Sequence, residues 1–349
     1  GEVINLETLD LSEDNNSVDQ KKLYLESYGC AMNFSDSEII ASIMNGVGYT
    51  TTKAPQEADL ILVNTCSIRE KAEERVRNRL NEFKRYKKKN KQLVVGMLGC
   101  MAERLKESLL DQEKLVDLVV GPDAYRDLPS LVERVNGGQK AVNVLLSREE
   151  TYAEISPLRL NSNGITALIS IMRGCDNMCS FCVVPYTRGP EYSRPFKQII
   201  DEAKELIELG AKEIILLGQN VNAYKFQDND REYKLSDLLL ELNGFDQIER
   251  VRYTTSHPKD MTEDLINVYK KSSKLMPLVH LPVQSGSNKI LKSMNRKHTI
   301  EEYLKVYESL KEINPNVEFS SDFIIGYPGE DEDDFNEQMR LLGRNRSNG

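Results

Sequence analysis

The sequence predicts an α/β protein in two parts: an N-terminal parallel α/β sandwich domain and, after it, an open, partial (β/α) barrel. Two observations favour this fold class. Apolar runs of strand length alternate with helical segments along most of the chain, a pattern typical of parallel sheets with helices on their faces. The alternation pauses at residues 137–163, where paired glycines and a cluster of Asn, Ser and Gly indicate turns. We expect this stretch to link the two domains.

Composition and charge narrow the class of protein. The chain has 349 residues, 40% hydrophobic and 29% charged, with a net charge of −9, and it is long enough for two folded domains. Its longest near-apolar stretch, residues 165–172, is far shorter than the roughly 20 residues that span a bilayer. The acidic, polar start is unlike a signal peptide. We expect a cytoplasmic protein that does not contact membranes.

The first domain, residues 22–136, follows a polar N-terminal extension, residues 1–21, that we expect to be disordered. Short runs rich in Leu, Ile and Val mark buried strands, and a helical segment follows each run. The predicted strands are residues 23–28, 60–64, 93–98 and 115–120, and the predicted helices are residues 36–45, 68–88, from 102 onward, and 128–135.

The second domain, residues 164–342, repeats the strand–helix unit five times. Such a series predicts an open barrel whose active face lies at the carboxyl ends of its strands. Residues 343–349 fit neither a strand nor the preceding pattern. The predicted strands are residues 165–172, 213–217, 248–254, 278–282 and 318–325, and the predicted helices are residues 196–209, 235–242, 262–271, 299–313 and 332–342.

A cysteine motif follows the first strand of the second domain. Its spacing is Cys175-x3-Cys179-x2-Cys182. A loop with this spacing offers three thiolates to a cubane iron–sulfur cluster and leaves one iron without a protein ligand. A small molecule can be held and reduced at that open iron.

The other three cysteines each follow a strand of the first domain. Cys30, Cys66 and Cys100 come after the first three predicted strands, so they should meet at the carboxyl edge of the sheet. Free cysteines are often simply small buried residues. Here Gly29 and Gly99 adjoin two of them and allow close backbone packing. A second metal site is therefore the better interpretation.

Zinc is the main rival occupant of both sites. Structural zinc takes four protein ligands, and each group supplies three cysteines. The histidines at 257, 280 and 298 lie far from the cysteines in the sequence. Disulfides are not expected in a reducing compartment. The residues therefore favour iron–sulfur clusters at both sites.

Five sequence segments carry a family resemblance across residues 22–341. The segments are residues 26–33, 64–74, 99–102, 172–189 and 280–287. Together with the two cysteine groups they resemble the radical S-adenosylmethionine methylthiotransferases. Residues 67–74 and 186–189 are similar to the members that add a methylthio group to C2 of N6-isopentenyl (dimethylallyl) adenosine at position 37 of tRNA.

The resemblance implies two [4Fe–4S] clusters and S-adenosylmethionine as cofactors. Cys175, Cys179 and Cys182 would hold the cluster that cleaves S-adenosylmethionine to a 5′-deoxyadenosyl radical. Cys30, Cys66 and Cys100 would hold an auxiliary cluster that supplies sulfur. One S-adenosylmethionine would methylate that sulfur, and the radical from a second would attack C2 of the adenine. Further cofactor or substrate contacts are expected at Phe181, Gly218, Gln219, Asn220, Ser256, Gln284 and Arg296, and at residues 326–329.

The family also implies partners. These are a tRNA anticodon stem-loop, an electron donor such as flavodoxin or ferredoxin, and sulfur-donor or iron–sulfur carrier proteins; we expect the enzyme to be a monomer. Family members continue into a C-terminal β-domain that binds tRNA, so we expect this chain to be truncated and to bind tRNA weakly. Phosphate contacts would then fall to residues 84–91, Arg188, Arg194 and Arg296, although a charge run such as 84–91 is more often a solvated helix end.

Alternative functions remain open at this stage. One keeps the chemistry and changes the substrate to threonylcarbamoyl-adenosine in tRNA or to an aspartate of a ribosomal protein. A second is a truncated, inactive fragment that still binds clusters. A third is an iron–sulfur carrier or electron-transfer protein, which the open-iron loop and the barrel disfavour.

Overall fold

The computed structural model describes residues 20–67, 70–147, 150, 152, 154–160 and 164–346. The predicted N-terminal extension up to residue 19, the start of the helix predicted at 68, the turn at 161–163 and residues 347–349 lie outside this description. Two compact units divide the chain. The first contains Gly1–Asn163 and Tyr186–Pro190, and the second contains Gly164–Pro185 and Glu191–Gly349.

The first unit is built on a six-stranded parallel sheet in the order β2-β1-β3-β4-β5-β6. Its strands are β1 (Lys21–Ser27), β2 (Tyr49–Thr51), β3 (Leu60–Thr65), β4 (Val94–Gly99), β5 (Leu118–Val120) and β6 (Ala141–Asn143). Its helices are α1 (Ala31–Asn45), α2 (Glu70–Lys89), α3 (Cys100–Leu105), α4 (Ser108–Gln112) and α5 (Leu128–Asn136).

Alternating side chains give this sheet a core on each face. Along β3, Leu60 and Leu62 join one apolar cluster while Ile61 and Val63 join the other. Successive strand residues point to opposite faces, so an all-apolar strand needs cover on both sides. Every residue of β3 and β4 is buried accordingly.

Two short strands in the first unit were not predicted. Both β2 and β6 have three residues, too few for a recognisable alternation of apolar and polar residues. Because β6 pairs with β5, the prediction of a linker at 137–163 is wrong for residues 141–143. Tyr152, also in that stretch, is buried, and its hydroxyl donates to the Pro122 carbonyl at 2.8 Å and accepts from the Tyr125 amide at 3.0 Å.

The second unit contains the parallel strands of the open barrel. A three-stranded sheet has the order β13-β10-β7, and β14 pairs with β15. The strands are β7 (Thr166–Ser170), β8 (Met172–Arg173), β9 (Tyr192–Ser193), β10 (Glu213–Leu217), β11 (Lys225–Asp228), β12 (Arg231–Lys234), β13 (Arg250–Tyr253), β14 (Leu278–His280) and β15 (Glu318–Ser320). The helices are α6 (Val184–Arg188), which runs into the first unit's segment, α7 (Phe196–Glu208), α8 (Leu235–Asn243), α9 (Glu263–Lys271), α10 (Asn288–Ser293), α11 (Ile300–Ile313) and α12 (Glu332–Arg346).

These elements confirm the predicted α/β fold class. The strand at 213–217 has the predicted bounds, whereas the strand predicted at 318–325 ends at Ser320. The antiparallel pair β11–β12 and helix α10 were not predicted. Helix α12 continues to Arg346, past the predicted end at 342. Among the described residues, every helix is too short or too polar to cross a membrane.

Removal of the Tyr152 hydroxyl tests whether the residues that precede the second unit fold as part of the first unit. We expect Tyr152→Phe to lower the free energy of unfolding of the first unit by about 1–3 kcal/mol, because two buried backbone groups lose this hydrogen-bond partner. Urea denaturation followed by circular dichroism measures the change. Tyr186→Phe, at a side chain that is 68% exposed, is the matched control and should leave stability unchanged. Equal stability of the two variants would contradict the packing of Tyr152.

Candidate metal centres

Three cysteines of the first unit lie at one edge of its sheet. Strands β1, β3 and β4 are neighbours and run parallel, with Ser27 beside Asn64 and Thr65 beside Gly99. Cys66 directly follows β3, Cys100 directly follows β4, and Cys30 lies three residues beyond β1. The carboxyl ends of the three strands therefore place all three thiols at the same edge.

Two glycines allow the chain to pack closely around these thiols. Gly29 has a φ of 118° and Gly99 a φ of 87°, a region that residues with a side chain rarely adopt. A Cβ added to Gly29 would lie 2.4 Å from the Cys66 Cβ, and one added to Gly99 would lie 2.4 Å from the Asn64 Oδ1. Only glycine therefore fits at these two positions, one against Cys66 and the other against Asn64 and Thr65.

A buried arginine completes this edge. The Arg188 Nε donates to the Cys100 Sγ at 3.2 Å, while its Nη1 donates to Asp36 at 2.6 Å and its Nη2 to the Asn33 side-chain oxygen at 2.9 Å. Arg188 is buried, so the prediction that it contacts tRNA phosphates is wrong. Arg194 is buried as well, bonded to Glu202 and to the Ser170 carbonyl, and is excluded for the same reason.

Charge and burial act on these groups in opposite directions. Desolvation of the Cys30 thiol by neighbouring atoms raises its pKa, and the nearby Arg188 charge opposes that shift. Burial alone would lower the pKa of Arg188, but Asp36 and the neighbouring thiols hold it well above its ordinary value. Arg188 is therefore a permanent cation at this edge of the sheet.

The cysteine loop of the second unit begins two residues after β8. The Gly174 amide donates to the Gln219 side-chain oxygen at 2.7 Å, which ties the start of the loop to the carboxyl end of β10. Further on, the Ser180 amide donates to the Met294 carbonyl at 3.0 Å, and the Asn295 side chain donates to the Met178 carbonyl at 2.9 Å. The loop is therefore held at its start and middle by other residues of its unit.

Side chains also point at the sulfurs of this loop. The Arg296 Nη1 donates to the Cys179 Sγ at 3.5 Å, and the Asn177 Nδ2 lies 3.6 Å from the Cys175 Sγ. Burial raises the pKa of Cys175 to about 11 and also raises that of Cys182. Such thiols are neutral at pH 7 and become thiolates when they bind a positively charged iron.

The predicted cofactor contacts have different surroundings. Gln219 holds Gly174, and Arg296 reaches Cys179 and the Pro282 carbonyl. Gly218 packs against Met172, where a Cβ would lie 2.6 Å from the Met172 Cγ. Each of these three residues thus contacts the cysteine loop or its strand, which sequence reasoning did not foresee.

The remaining predicted contacts lie at other strand ends of the second unit. Asn220 is buried and donates to Glu191 and Asp260, while its Oδ1 has no hydrogen-bond partner. Ser256 follows β13 and is buried with no partner for its hydroxyl. Gln284 has a φ of 74°, and Phe181 is 40% exposed. Unpartnered buried polar atoms at strand ends are where a polar ligand would bind.

The residue types of the two cysteine groups match those that hold iron–sulfur clusters. Each group contains three sulfur donors, which is the set that a cubane with one open iron takes. Within the described ranges, no group of three His, Cys, Asp or Glu side chains is already arranged to hold a metal ion. The fit to a cluster therefore rests on the type and number of the donors and on their place at the strand ends.

Two family models and several solved structures are similar to this chain. Residues 22–121 match the uncharacterized protein family UPF0004, and residues 169–342 match the radical SAM superfamily. Solved radical S-adenosylmethionine enzymes share the fold. The cobalamin-dependent enzyme OxsB aligns with a TM-score of 0.67 and 12% sequence identity, and the alignment covers 93% of this chain and 52% of the OxsB chain. The methyltransferase TsrM from Kitasatospora setae, with a TM-score of 0.66 and 13% identity, covers 93% of this chain and 71% of its own.

Curated relatives are much closer in sequence. The tRNA-2-methylthio-N(6)-dimethylallyladenosine synthase of Pelagibacter ubique is 51% identical over 92% of this chain and 72% of the relative. That of Flavobacterium psychrophilum is 53% identical over 94% of this chain and 71% of the relative. The chain belongs to the family of tRNA-2-methylthio-N(6)-dimethylallyladenosine synthases.

A glycine substitution tests the first-unit site. We expect Gly29→Ala to lose the cluster of the first unit and keep that of the second, because the new Cβ would displace Cys66. After anaerobic reconstitution, iron and sulfide per chain should fall by about half. Gly48→Ala is the matched control, since its φ is 89° and an added Cβ would meet nothing within 4 Å. Equal iron content in both variants would show that the crowding at Gly29 is unrelated to metal binding.

Proposed function

We propose that the protein is a radical S-adenosylmethionine methylthiotransferase that adds a methylthio group to C2 of N6-dimethylallyl adenosine at position 37 of tRNA. The observation that supports this most directly is the division of six cysteines into two trios. One trio lies at the carboxyl edge of the first unit's sheet, and the other lies in a loop at the carboxyl end of strands of the second unit. An enzyme that both makes a radical and stores a transferable sulfur needs two such sites.

Each trio has a proposed ligand role. Cys175, Cys179 and Cys182 would hold the [4Fe–4S] cluster that binds S-adenosylmethionine, and Cys30, Cys66 and Cys100 would hold the auxiliary [4Fe–4S] cluster. When bound, these groups supply a low-potential electron, a carbon radical and a transferable sulfur. The protein supplies the thiolates and fixes their spacing.

Residues around the second trio would orient the cofactor. Gln219 and Asn295 fix the backbone of the cysteine loop at its start and middle. The unpartnered Asn220 Oδ1 and Ser256 Oγ would receive polar groups of S-adenosylmethionine. Phe181, Gly218, Gln284 and residues 326–329 are proposed to line the same ligand.

The domain assignment follows the same proposal. Residues 22–136 would form the methylthiotransferase N-terminal domain, extended by β6, and residues 164–342 the radical S-adenosylmethionine core. tRNA is the proposed substrate. Arg188 and Arg194 are buried, and Arg296 donates to Cys179 and to the Pro282 carbonyl. The tRNA phosphates would therefore contact exposed lysines of residues 84–91, so binding should weaken as salt rises. A flavodoxin or ferredoxin as electron donor, a sulfur or iron–sulfur carrier and a cytoplasmic location complete the proposal.

Single cysteine variants test the division of labour. Replacing Cys175, Cys179 or Cys182 with Ala should abolish formation of 5′-deoxyadenosine, because the cluster that cleaves S-adenosylmethionine loses a ligand. Replacing Cys30, Cys66 or Cys100 should spare that cleavage and abolish methylthiolation. Both products are measured by mass spectrometry after anaerobic reaction with dithionite and tRNA that carries dimethylallyl adenosine. Parallel loss of both activities in all six variants would refute the proposal.

The substrate is tested separately. Nucleosides from tRNA of a strain that lacks this gene should accumulate N6-dimethylallyl adenosine without its methylthio group. Accumulation of unmodified threonylcarbamoyl-adenosine derivatives instead would assign the protein to a different substrate and leave the chemistry intact.

A further inference from the structure

The segment that carries Arg188 belongs to a different unit from the residues on either side of it. Tyr186–Pro190 is part of the first unit, while the residues up to Pro185 and from Glu191 belong to the second. Arg188 also lies only six residues after Cys182. The segment after the cysteine loop is thus part of the first unit. Within it, Arg188 lies buried at the sheet edge that carries Cys30, Cys66 and Cys100.

All three kinds of guanidinium nitrogen in Arg188 are engaged. Nε donates to the Cys100 Sγ at 3.2 Å, Nη1 to the Asp36 carboxylate at 2.6 Å and Nη2 to the Asn33 side-chain oxygen at 2.9 Å. That same Asn33 oxygen lies 3.7 Å from the Cys30 Sγ. The guanidinium therefore contacts one thiol directly and a second through one amide.

Stability alone is a weak explanation for this arrangement. The Arg188 and Asp36 side chains are each only 2% exposed. Taking both charges out of water costs about as much as their attraction returns, and apolar residues of similar volume often serve equally well. A guanidinium that contributed only to stability would also not need to direct its Nε at a sulfur.

We propose that Arg188 is a positioning residue that sets the reduction potential of the auxiliary cluster, with Asp36 as the opposing charge. This inference rests on the proposed function, because it requires Cys100 to be a cluster ligand. A hydrogen bond from a cation to a ligand sulfur favours the cluster after it gains an electron, and a nearby carboxylate disfavours it. The low dielectric of the buried site strengthens both effects.

The sign of the shift separates this role from a structural one. Arg188→Gln removes the positive charge and should shift the potential to more negative values. Asp36→Asn keeps an oxygen that accepts from Nη1 but removes the negative charge, so the potential should become less negative. In the double variant, the reduction potential should return toward that of the protein with Arg188 and Asp36 intact. A residue that merely packs the edge would give shifts of one sign or none.

The experiment uses the whole 349-residue chain with Cys175, Cys179 and Cys182 all replaced by Ala, so that only the auxiliary cluster contributes. Each variant is made in this background, reconstituted anaerobically and titrated with dithionite, one electron per cluster, while electron paramagnetic resonance monitors the reduced form. Arg194→Gln is the matched control. It removes a buried arginine that is paired with Glu202 at 2.8 Å in the second unit, and it should leave the potential unchanged.

The outcomes distinguish two kinds of failure. If the background protein with Arg188 and Asp36 intact holds no iron, the ligand assignment in the proposed function fails, and this inference fails with it. If the cluster is present and both charge variants leave its potential unchanged, or shift it in the same direction, the inference alone is overturned. Should Arg188→Gln fail to fold, Asp36→Asn decides the question by its sign.

Discussion

Parallel pairing of β1, β3 and β4 is the constraint on which the first site depends. Thiols that are more than thirty residues apart in the chain reach one edge because each strand ends at the same level of the sheet. A sheet with one of these strands reversed would carry its cysteine to the opposite edge. The apolar cores on both faces stabilise this order, and Leu60 and Ile61 pack into one core each.

The second unit also has its cysteines near the carboxyl ends of parallel strands, but all three lie in one loop. Strands β7, β10 and β13 are parallel neighbours, and Gln219, Asn220 and Ser256 follow the carboxyl ends of β10 and β13. Gln219 shows how the fold and the site are connected, because it follows β10 and its side-chain oxygen accepts from the Gly174 amide at the start of the cysteine loop. Each unit thus carries three cysteines beyond the carboxyl ends of strands that pack through buried apolar side chains.

Much of this was predictable from sequence, and the misses have physical causes. Long apolar runs such as residues 213–217 can be recognised as strands from sequence. Strand β6 has only three residues and is recognisable as a strand only by its pairing with β5. The role of Arg188 was predicted wrongly because sequence does not distinguish a buried arginine from an exposed one. A signal was present: Asp36 lies three and four residues before Ile39 and Ile40, so a helix places it on the side that these apolar residues bury, where a carboxylate requires a cation.

Six thiols that hold two cubane clusters in one chain require a definite iron and sulfide content. This content is measured by Mössbauer spectroscopy of the anaerobically reconstituted wild-type protein, with iron and sulfide determined on the same sample. We expect signals of [4Fe–4S] clusters alone, with about eight irons and eight sulfides per chain. A spectrum that corresponds to one cluster per chain, with the thiols of Cys30, Cys66 and Cys100 still free to react with iodoacetamide, would contradict it.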